Sequence, residues 1–213
     1  MALFSSGTTF RWLKETVCEP LIAESATSGK NVYDLMIEEA QRTALGASGL
    51  IMNPTLAGGA PQDACPELRG GFLNLDLSHT RGDMIRAVME GIAFGMRHAL
   101  DSLSAGGQNP EMITVVGGGS KSEFWQQIYA NVMNVPLRKT NIDQNAASLG
   151  AAALAAVGTG LWPSFDPLDE ILQERHRTVP DPVHVAEYER LYKRFLLARD
   201  LLIRYANETR SMD

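Results

Sequence analysis

Residues 113–125, ITVVGGGSKSEFW, contain the strongest indication of the fold class of this chain. It begins with four β-branched residues, which favour a short strand. Three glycines follow at once, and after them apolar side chains recur at helical spacing as far as Met133. A second β-rich run, VPLRK at residues 135–139, comes next. Strand, helix and strand within about thirty residues predict a βαβ unit, with parallel strands and a right-handed crossover.

The three glycines carry the functional prediction. The sequence places them directly before a helix whose start is marked by a Ser120–Glu123 capping box. The first N–H groups of a helix lack intrahelical partners, and the helix dipole adds partial positive charge there. Glycine lets the backbone approach a ligand closely and adopt a positive φ. Together these features predict a polyphosphate at the turn.

Two better-known phosphate motifs do not fit this turn. A Walker A loop that ended at Lys121-Ser122 would need glycines where Val115 and Ser120 stand. The dinucleotide fingerprint, counted from Gly117, fails because its last glycine is replaced by Ser122. A tight strand-to-helix turn without any ligand therefore remains an open alternative at this point.

Helical patterns flank the βαβ unit on both sides. A Thr80–Asp83 capping box and the long apolar stripe after it predict the longest helix, which ends at Gly106. Asp181 followed by proline predicts the start of the last helix. Other predicted elements are a helix over residues 8–17, a helix capped by Asn31, a strand at 50–52 and an ordered loop over 54–71.

A further helix is predicted over residues 146–157, where small residues dominate. One face of this helix is predicted to pack on the sheet rather than on a ligand. That face consists of Ala147, Gly150, Ala151 and Leu154. The charged segment that leads to Pro180 shows no clear periodicity, and no element is predicted there. The fold class predicted from all these patterns is α/β, a parallel sheet core with flanking helices.

Composition excludes several classes of protein. The 213 residues are 45% hydrophobic and 21% charged, which is an ordinary globular mixture. The net charge of −6 argues against nucleic-acid binding, which usually needs a basic face. We expect no membrane span, because the longest apolar run is about half of the ~20 residues that a span needs. The N-terminus does not have the pattern of a signal peptide.

The cysteines and histidines predict neither a metal site nor a disulfide framework. Cys18 and Cys65 stand far apart in the sequence, and two cysteines fit a reducing, cytoplasmic compartment. The four histidines stand singly, without the spacing of a zinc site. The sequence also shows no convincing Ser-His-Asp set. We therefore predict no catalytic residue and no metal ligand in this chain.

Several segments together resemble one protein family. They are RGGFLNLDLSHTRGDMIRAVMEGIAFGMRHAL at 69–100, VVGGGSKSEFWQQIYANVMNVPL at 115–137 and AASLGAAALAAVGTGLW at 146–162. These segments are similar to the C-terminal half of FGGY carbohydrate kinases, as are the turn and helix at SSGTTFRWLKETV and the loop GGAPQDACPELRG. The similarity covers nearly the whole chain in the same order, which makes it far more specific than the glycine turn alone.

The resemblance implies an actin-like, ribonuclease-H-like fold in which two domains clasp ATP. It implies transfer of a phosphoryl group from ATP, with Mg²⁺, to a sugar hydroxyl. Residues 1–213 would be the C-terminal nucleotide-binding domain, without its opening antiparallel strands and without the N-terminal domain that binds the sugar and supplies the catalytic base. Such a chain alone would be inactive. A non-catalytic nucleotide-binding or interaction module, and a kinase for another polyol or metabolite, remain as alternatives.

The resemblance also implies the residues of the nucleotide site. Gly117, Gly118, Gly119 and Ser120 would border the phosphates, and Ser122 would lie near the ribose or adenine. Gly7, in the turn before the first helix, would face the phosphate end, and Arg11 would contact the nucleotide.

Two positions depart from the family pattern. Gly59-Ala60 stands where a Glu-Arg pair is common, and Asn145 stands where many relatives have glutamate. The expected partners are an adenine nucleotide and, through the other half, a sugar acceptor. We also consider a homodimer possible, and we expect binding neither to nucleic acid nor to a membrane.

Overall fold

The computed structural model of the chain describes residues 6–142, 145–210 and 212. Its helices are α1 (Ser6–Val17), α2 (Glu19–Ser28), α3 (Val32–Gln41), α4 (Arg81–Ala105), α5 (Glu123–Met133), α6 (Ala146–Gly158), α7 (Pro167–Ile171) and α8 (Pro182–Thr209). Its strands are β1 (Ile51–Asn53), β2 (Gly71–Leu73), β3 (Ile113–Val115), β4 (Leu137–Thr140) and β5 (Glu174–Thr178).

The βαβ unit predicted from residues 113–139 is confirmed. Strands β3 and β4 pair in parallel, with Ile113 opposite Leu137, and α5 connects them. Strand β5 adds to the other side of β4 in the antiparallel direction, with Thr178 opposite Leu137. The sheet is therefore mixed, in the order β3-β4-β5, and it places the end of β3 at one edge.

Helix α4 is the centre of the core. Its predicted capping box is present: the Thr80 side chain accepts from the amide of Asp83, and the Asp83 carboxylate accepts from the amide of Thr80. The helix packs against α1, α3, α5, α8 and β1. Gly91 allows a close approach of this helix to β1, since a Cβ at this position would overlap the carbonyl oxygen of Met52.

The flanking helices begin as the sequence predicts. The Asn31 side chain accepts from the amide of Tyr33 at the start of α3, and Asp181 accepts from that of Val183 at the start of α8. Helix α2 was not predicted, although Pro20 in its first turn is a typical starting signal. Within the described ranges, each helix is too short or too polar to cross a membrane.

The prediction for the face of α6 was wrong. Ala147, Gly150, Ala151 and Leu154 are exposed, and the buried positions of this helix are Ala153 and Ala156. The helix is apolar on nearly every side, so its sequence contains no polar stripe that would distinguish the buried face from the exposed one. Periodicity could therefore predict the helix but not its orientation.

Candidate functional site

The glycine turn begins at Gly117, which is separated from the end of β3 by one residue. Gly117 has φ 84° and ψ −161°, a backbone conformation that favours glycine. Residues Gly118–Lys121 then form a single 3₁₀ turn. The amide and the hydroxyl of Ser120 both donate to the carbonyl oxygen of Gly117, over 3.2 and 2.8 Å. These two hydrogen bonds close the turn on itself.

The start of α5 differs from the prediction. The helix begins at Glu123, and Ser122 is its cap, with a hydroxyl that accepts from the amide of Trp125 over 3.2 Å. The Ser120–Glu123 capping box was therefore wrong, because the 3₁₀ turn separates the glycines from the helix. Ser120 is 1% exposed, so its side chain is not accessible to a ligand.

The outer side of the turn is open. A Cβ built on Gly117 or Gly118 would meet no atom within 4 Å. On Gly119 it would meet the ring of Tyr129 at 3.5 Å, which is an ordinary contact. Backbone atoms of the turn are therefore accessible to a ligand from one side and supported by an aromatic ring on the other.

An aromatic cluster joins this turn region to α1. The rings of Trp125 and Tyr129 stack with centroids 5.7 Å apart, and Phe10 packs on Trp125 at 4.6 Å. Because Trp125 lies in the first turn of α5, these contacts hold the second turn of α1 against the start of α5. Sequence reasoning missed this cluster, since residues far apart in the chain form it.

Gly7 and Arg11 lie on the helix that this cluster holds. Gly7 is the second residue of α1 rather than part of a turn before it, and a side chain there would point into open space. Arg11 is exposed next to Phe10, and among the described residues its guanidinium has no hydrogen-bond or ion-pair partner. The structure thus brings the segment that carries both residues to the start of α5.

The loop between β1 and β2 is fixed by buried charge. The Asp63 carboxylate accepts from the amide of Ala60 over 2.7 Å and from Nε of Arg199 on α8 over 2.7 Å. Gly59 packs so closely against this loop that a Cβ would overlap the carbonyl oxygen of Cys65. The observed backbone therefore leaves no room for a glutamate side chain at position 59.

A second buried polar group lies in the helix core, away from the turn. Glu90 on α4 accepts from Nε of Arg86 over 2.8 Å and from the hydroxyl of Tyr188 over 3.0 Å. Burial raises the pKa of the Glu90 carboxyl, and the Arg86 guanidinium opposes that rise. Glu90 also accepts from the amide of Gly46 over 3.1 Å, so its partners hold α4 against α8 and against the segment after α3, and we assign this group to the scaffold.

Comparison with known proteins identifies the family. The sequence model described as "FGGY family of carbohydrate kinases, C-terminal domain" matches residues 1–159. The chain is 30% identical to the xylulose kinase of Staphylococcus epidermidis over 93% of its own length and 40% of that protein. It is 29% identical to the gluconokinase of Bacillus licheniformis over 98% of its own length and 41% of that protein.

Solved structures agree with the sequence comparison. The ligand-bound xylulose kinase from Lactobacillus acidophilus superposes with a TM-score of 0.80 at 29% identity, covering 95% of this chain and 39% of that one. The glycerol kinase of Plasmodium falciparum with ADP shares the fold, with a TM-score of 0.68 at 20% identity. The chain thus spans about 40% of the length of the relatives it matches. It belongs to the FGGY family of carbohydrate kinases, and it has the fold of the C-terminal half of these actin-like enzymes.

Proposed function

We propose that residues 1–213 form the nucleotide-binding domain of a carbohydrate kinase that transfers the γ-phosphate of ATP to a sugar hydroxyl. The observation that carries this proposal is the open glycine turn at the end of β3, in a chain that belongs to a kinase family. We further propose D-xylulose as the acceptor, because xylulose kinases recur among both the sequence relatives and the similar structures.

The turn would bind the phosphates through its backbone. The 3₁₀ turn begins with Gly118 and Gly119, and the backbone N–H groups of these two residues have no acceptor within the turn itself. Successive backbone N–H groups in such a turn form a concave anion site. Lys121 is exposed at the end of the same turn and adds a positive charge. Gly7, Arg11 and Ser122 would complete the nucleotide contacts from the neighbouring helices.

Magnesium would arrive with the nucleotide. Mg²⁺ in kinase sites is held by substrate phosphates, waters and one or two carboxylates. The part of the chain that the structure describes contains no cluster of three histidine, cysteine or acidic residues that could hold a metal ion. We therefore propose that the nucleotide phosphates, rather than side chains of this domain, carry the Mg²⁺ ion. When bound, the ion would neutralise charge on the transferred phosphoryl group.

The remaining parts of the reaction would come from outside these residues. Phosphoryl transfer needs a base that accepts the hydroxyl proton and a site that positions the sugar. Since the chain spans about 40% of its relatives, we expect both in the rest of the enzyme, and we expect no turnover by this chain alone.

Both cysteines are free thiols and are buried, which supports a reducing, cytoplasmic compartment.

Gluconate is a second candidate for the acceptor. The gluconokinase of Bacillus licheniformis is about as similar to this chain as the xylulose kinases are. A gluconate kinase from Lactobacillus acidophilus also superposes with a TM-score of 0.80 at 28% identity. Assays of the complete enzyme with D-xylulose and with gluconate would separate the two, since the preferred acceptor gives the higher kcat/KM.

Calorimetric titration with MgADP tests the nucleotide site. The chain is expected to bind MgADP, and Gly118→Leu is expected to weaken binding at least about tenfold, because its side chain would occupy the open approach. Gly158→Leu is the matched control, since Gly158 is also exposed with open space around it but lies at the end of α6. Absence of binding by the unmodified chain would overturn the proposal in favour of an interaction module.

A further inference from the structure

The glycine turn is tied to the buried side of α5 by one side chain. Nε2 of Gln126 donates to the carbonyl oxygen of Ser120 over 2.9 Å. Gln126 is 2% exposed and Ser120 is 1% exposed, so water cannot readily replace this hydrogen bond. Ser120 in turn holds Gly117 through its amide and its hydroxyl. A continuous chain of hydrogen bonds therefore runs from Gln126 to the first glycine of the turn.

The other end of the Gln126 amide contacts the sheet. The hydroxyl of Thr178, which is buried on β5, lies 3.5 Å from Oε1 of Gln126. This contact is long, so the hydrogen bond to Ser120 carries most of the effect. Both contacts agree with a single orientation of the amide, with its nitrogen toward the turn and its oxygen toward β5. The side chain thus spans the space between the turn and the far strand.

We infer that Gln126 is a positioning residue for the nucleotide phosphates, an inference that rests on the proposed function. It holds the Ser120 carbonyl, and through it the Gly117 carbonyl, so that the open face of the turn keeps one geometry before the ligand arrives. A preorganised backbone site loses less conformational entropy on binding than a mobile one. Gln126 acts through Ser120 and does not itself touch the ligand.

The neighbouring residue provides a matched control. Nε2 of Gln127 donates to Oδ1 of Asn131 and to the carbonyl oxygen of Val179, each over 2.9 Å. Like Gln126, it connects α5 to the segment at the end of β5. Unlike Gln126, it has no hydrogen bond to the glycine turn. Substitutions at the two glutamines therefore distinguish a general loss of α5 packing from a specific loss of support for the glycine turn.

The test compares Gln126→Met with Gln127→Met in the 213-residue chain. Methionine keeps the approximate length of the side chain but neither donates nor accepts strongly. For Gln126→Met we expect the Kd for MgADP to rise about tenfold. We also expect the ¹⁵N-amide resonances of residues 117–120 to shift and their hydrogen exchange to accelerate without any ligand. For Gln127→Met we expect a Kd within about twofold of the unmodified chain and unchanged resonances in the turn.

Two results would overturn the inference: equal effects of both substitutions on MgADP binding, or unchanged turn amides in Gln126→Met. If the unmodified chain binds no MgADP, the proposed function fails, and the ligand-free amide signals still report whether Gln126 holds the turn. If Gln126→Met does not fold, Gln126→Asn takes its place, because its shorter side chain keeps an amide but withdraws the donor from the Ser120 carbonyl oxygen. Shifted turn amides in Gln126→Asn support the inference, and unchanged ones contradict it.

Discussion

Arg199 on α8 and Asp63 in the loop after β1 form a buried ion pair, with Nε 2.7 Å from Oδ1. Their side chains are 12% and 5% exposed, so the two charges depend on each other rather than on water. The pair joins the last helix to a loop 136 residues earlier in the sequence. It therefore anchors the loop that follows the buried strand β1.

Removing one partner of this pair is expected to be costly. Arg199→Leu leaves the Asp63 carboxylate buried without its counter-charge and should lower the free energy of unfolding by about 3–5 kcal/mol. Urea unfolding followed by circular dichroism measures this change. Arg204→Leu is the control, since Arg204 pairs with Glu208 on the exposed side of α8 and should change stability by less than about 1 kcal/mol. Similar losses in both variants would show that the burial argument is wrong.

The close approach of α4 to β1 gives a second prediction. In Gly91→Ala the new Cβ would overlap the Met52 carbonyl oxygen, so helix and strand must separate. We expect a loss of about 1–3 kcal/mol in the free energy of unfolding. Gly150→Ala on the exposed side of α6 meets no neighbour and should instead gain up to about 1 kcal/mol from helix propensity. A neutral Gly91→Ala would mean that the two elements are not packed this closely.

The Cys18 thiol provides a prediction about pH. Burial raises the pKa of Cys18 to about 11, from an ordinary value of 9.0. A thiol that is protonated in the folded state favours folding at low pH, and this contribution is lost as the pH rises from about 9 to about 11. In Cys18→Ala we expect a smaller fall in stability over that interval than in the unmodified chain, measured by urea unfolding at each pH. Identical pH dependence in both proteins would contradict the prediction.

Cys18 should also be chemically protected. Because the thiolate is the reactive species, alkylation by iodoacetamide at pH 8 should be slow in the folded chain and fast in urea. Mass spectrometry of the peptide that contains Cys18 measures both rates. Equal rates would indicate that the thiol is exposed, contrary to its complete burial in the structure.

Arg11 tests the contribution of α1 to the nucleotide site. Its side chain is exposed and has no described partner, so Arg11→Ala should change the free energy of unfolding by less than about 0.5 kcal/mol. If Arg11 reaches the nucleotide, the Kd for MgADP should rise several-fold, and the increase should shrink at high salt. Arg175→Ala, an exposed arginine on β5, is the charge-matched control. Equal Kd values for the two variants would remove Arg11 from the site.

Local signals in the sequence predicted much of this fold. The Thr80–Asp83 box and the starts at Asn31 and Asp181 depend on residues within a few positions of each other. The βαβ unit depends on three runs that follow one another along the chain, and all of these predictions were confirmed. Strand β5 was missed because its sequence, ERHRT, is charged and mostly exposed. An edge strand of this kind is stabilised by hydrogen bonds to its neighbour, which the sequence pattern does not reveal.

The candidate site was predicted less completely. The glycine turn could be predicted because a run of three glycines after a β-rich segment is recognisable in the sequence itself. The correct cap, Ser122 instead of Ser120, depended on where the 3₁₀ turn ends. Gln126 could not be predicted, since a polar residue on a helix is usually exposed and its partners at Ser120 and Thr178 become neighbours only in the folded chain.

The crowding at Gly59 limits how this loop can be altered. Any side chain at this position collides with the main chain at Cys65, so a single exchange to glutamate would force the backbone to move before the carboxylate could reach solvent. Engineering that seeks an acidic group here must therefore redesign residues 58–65 as a unit.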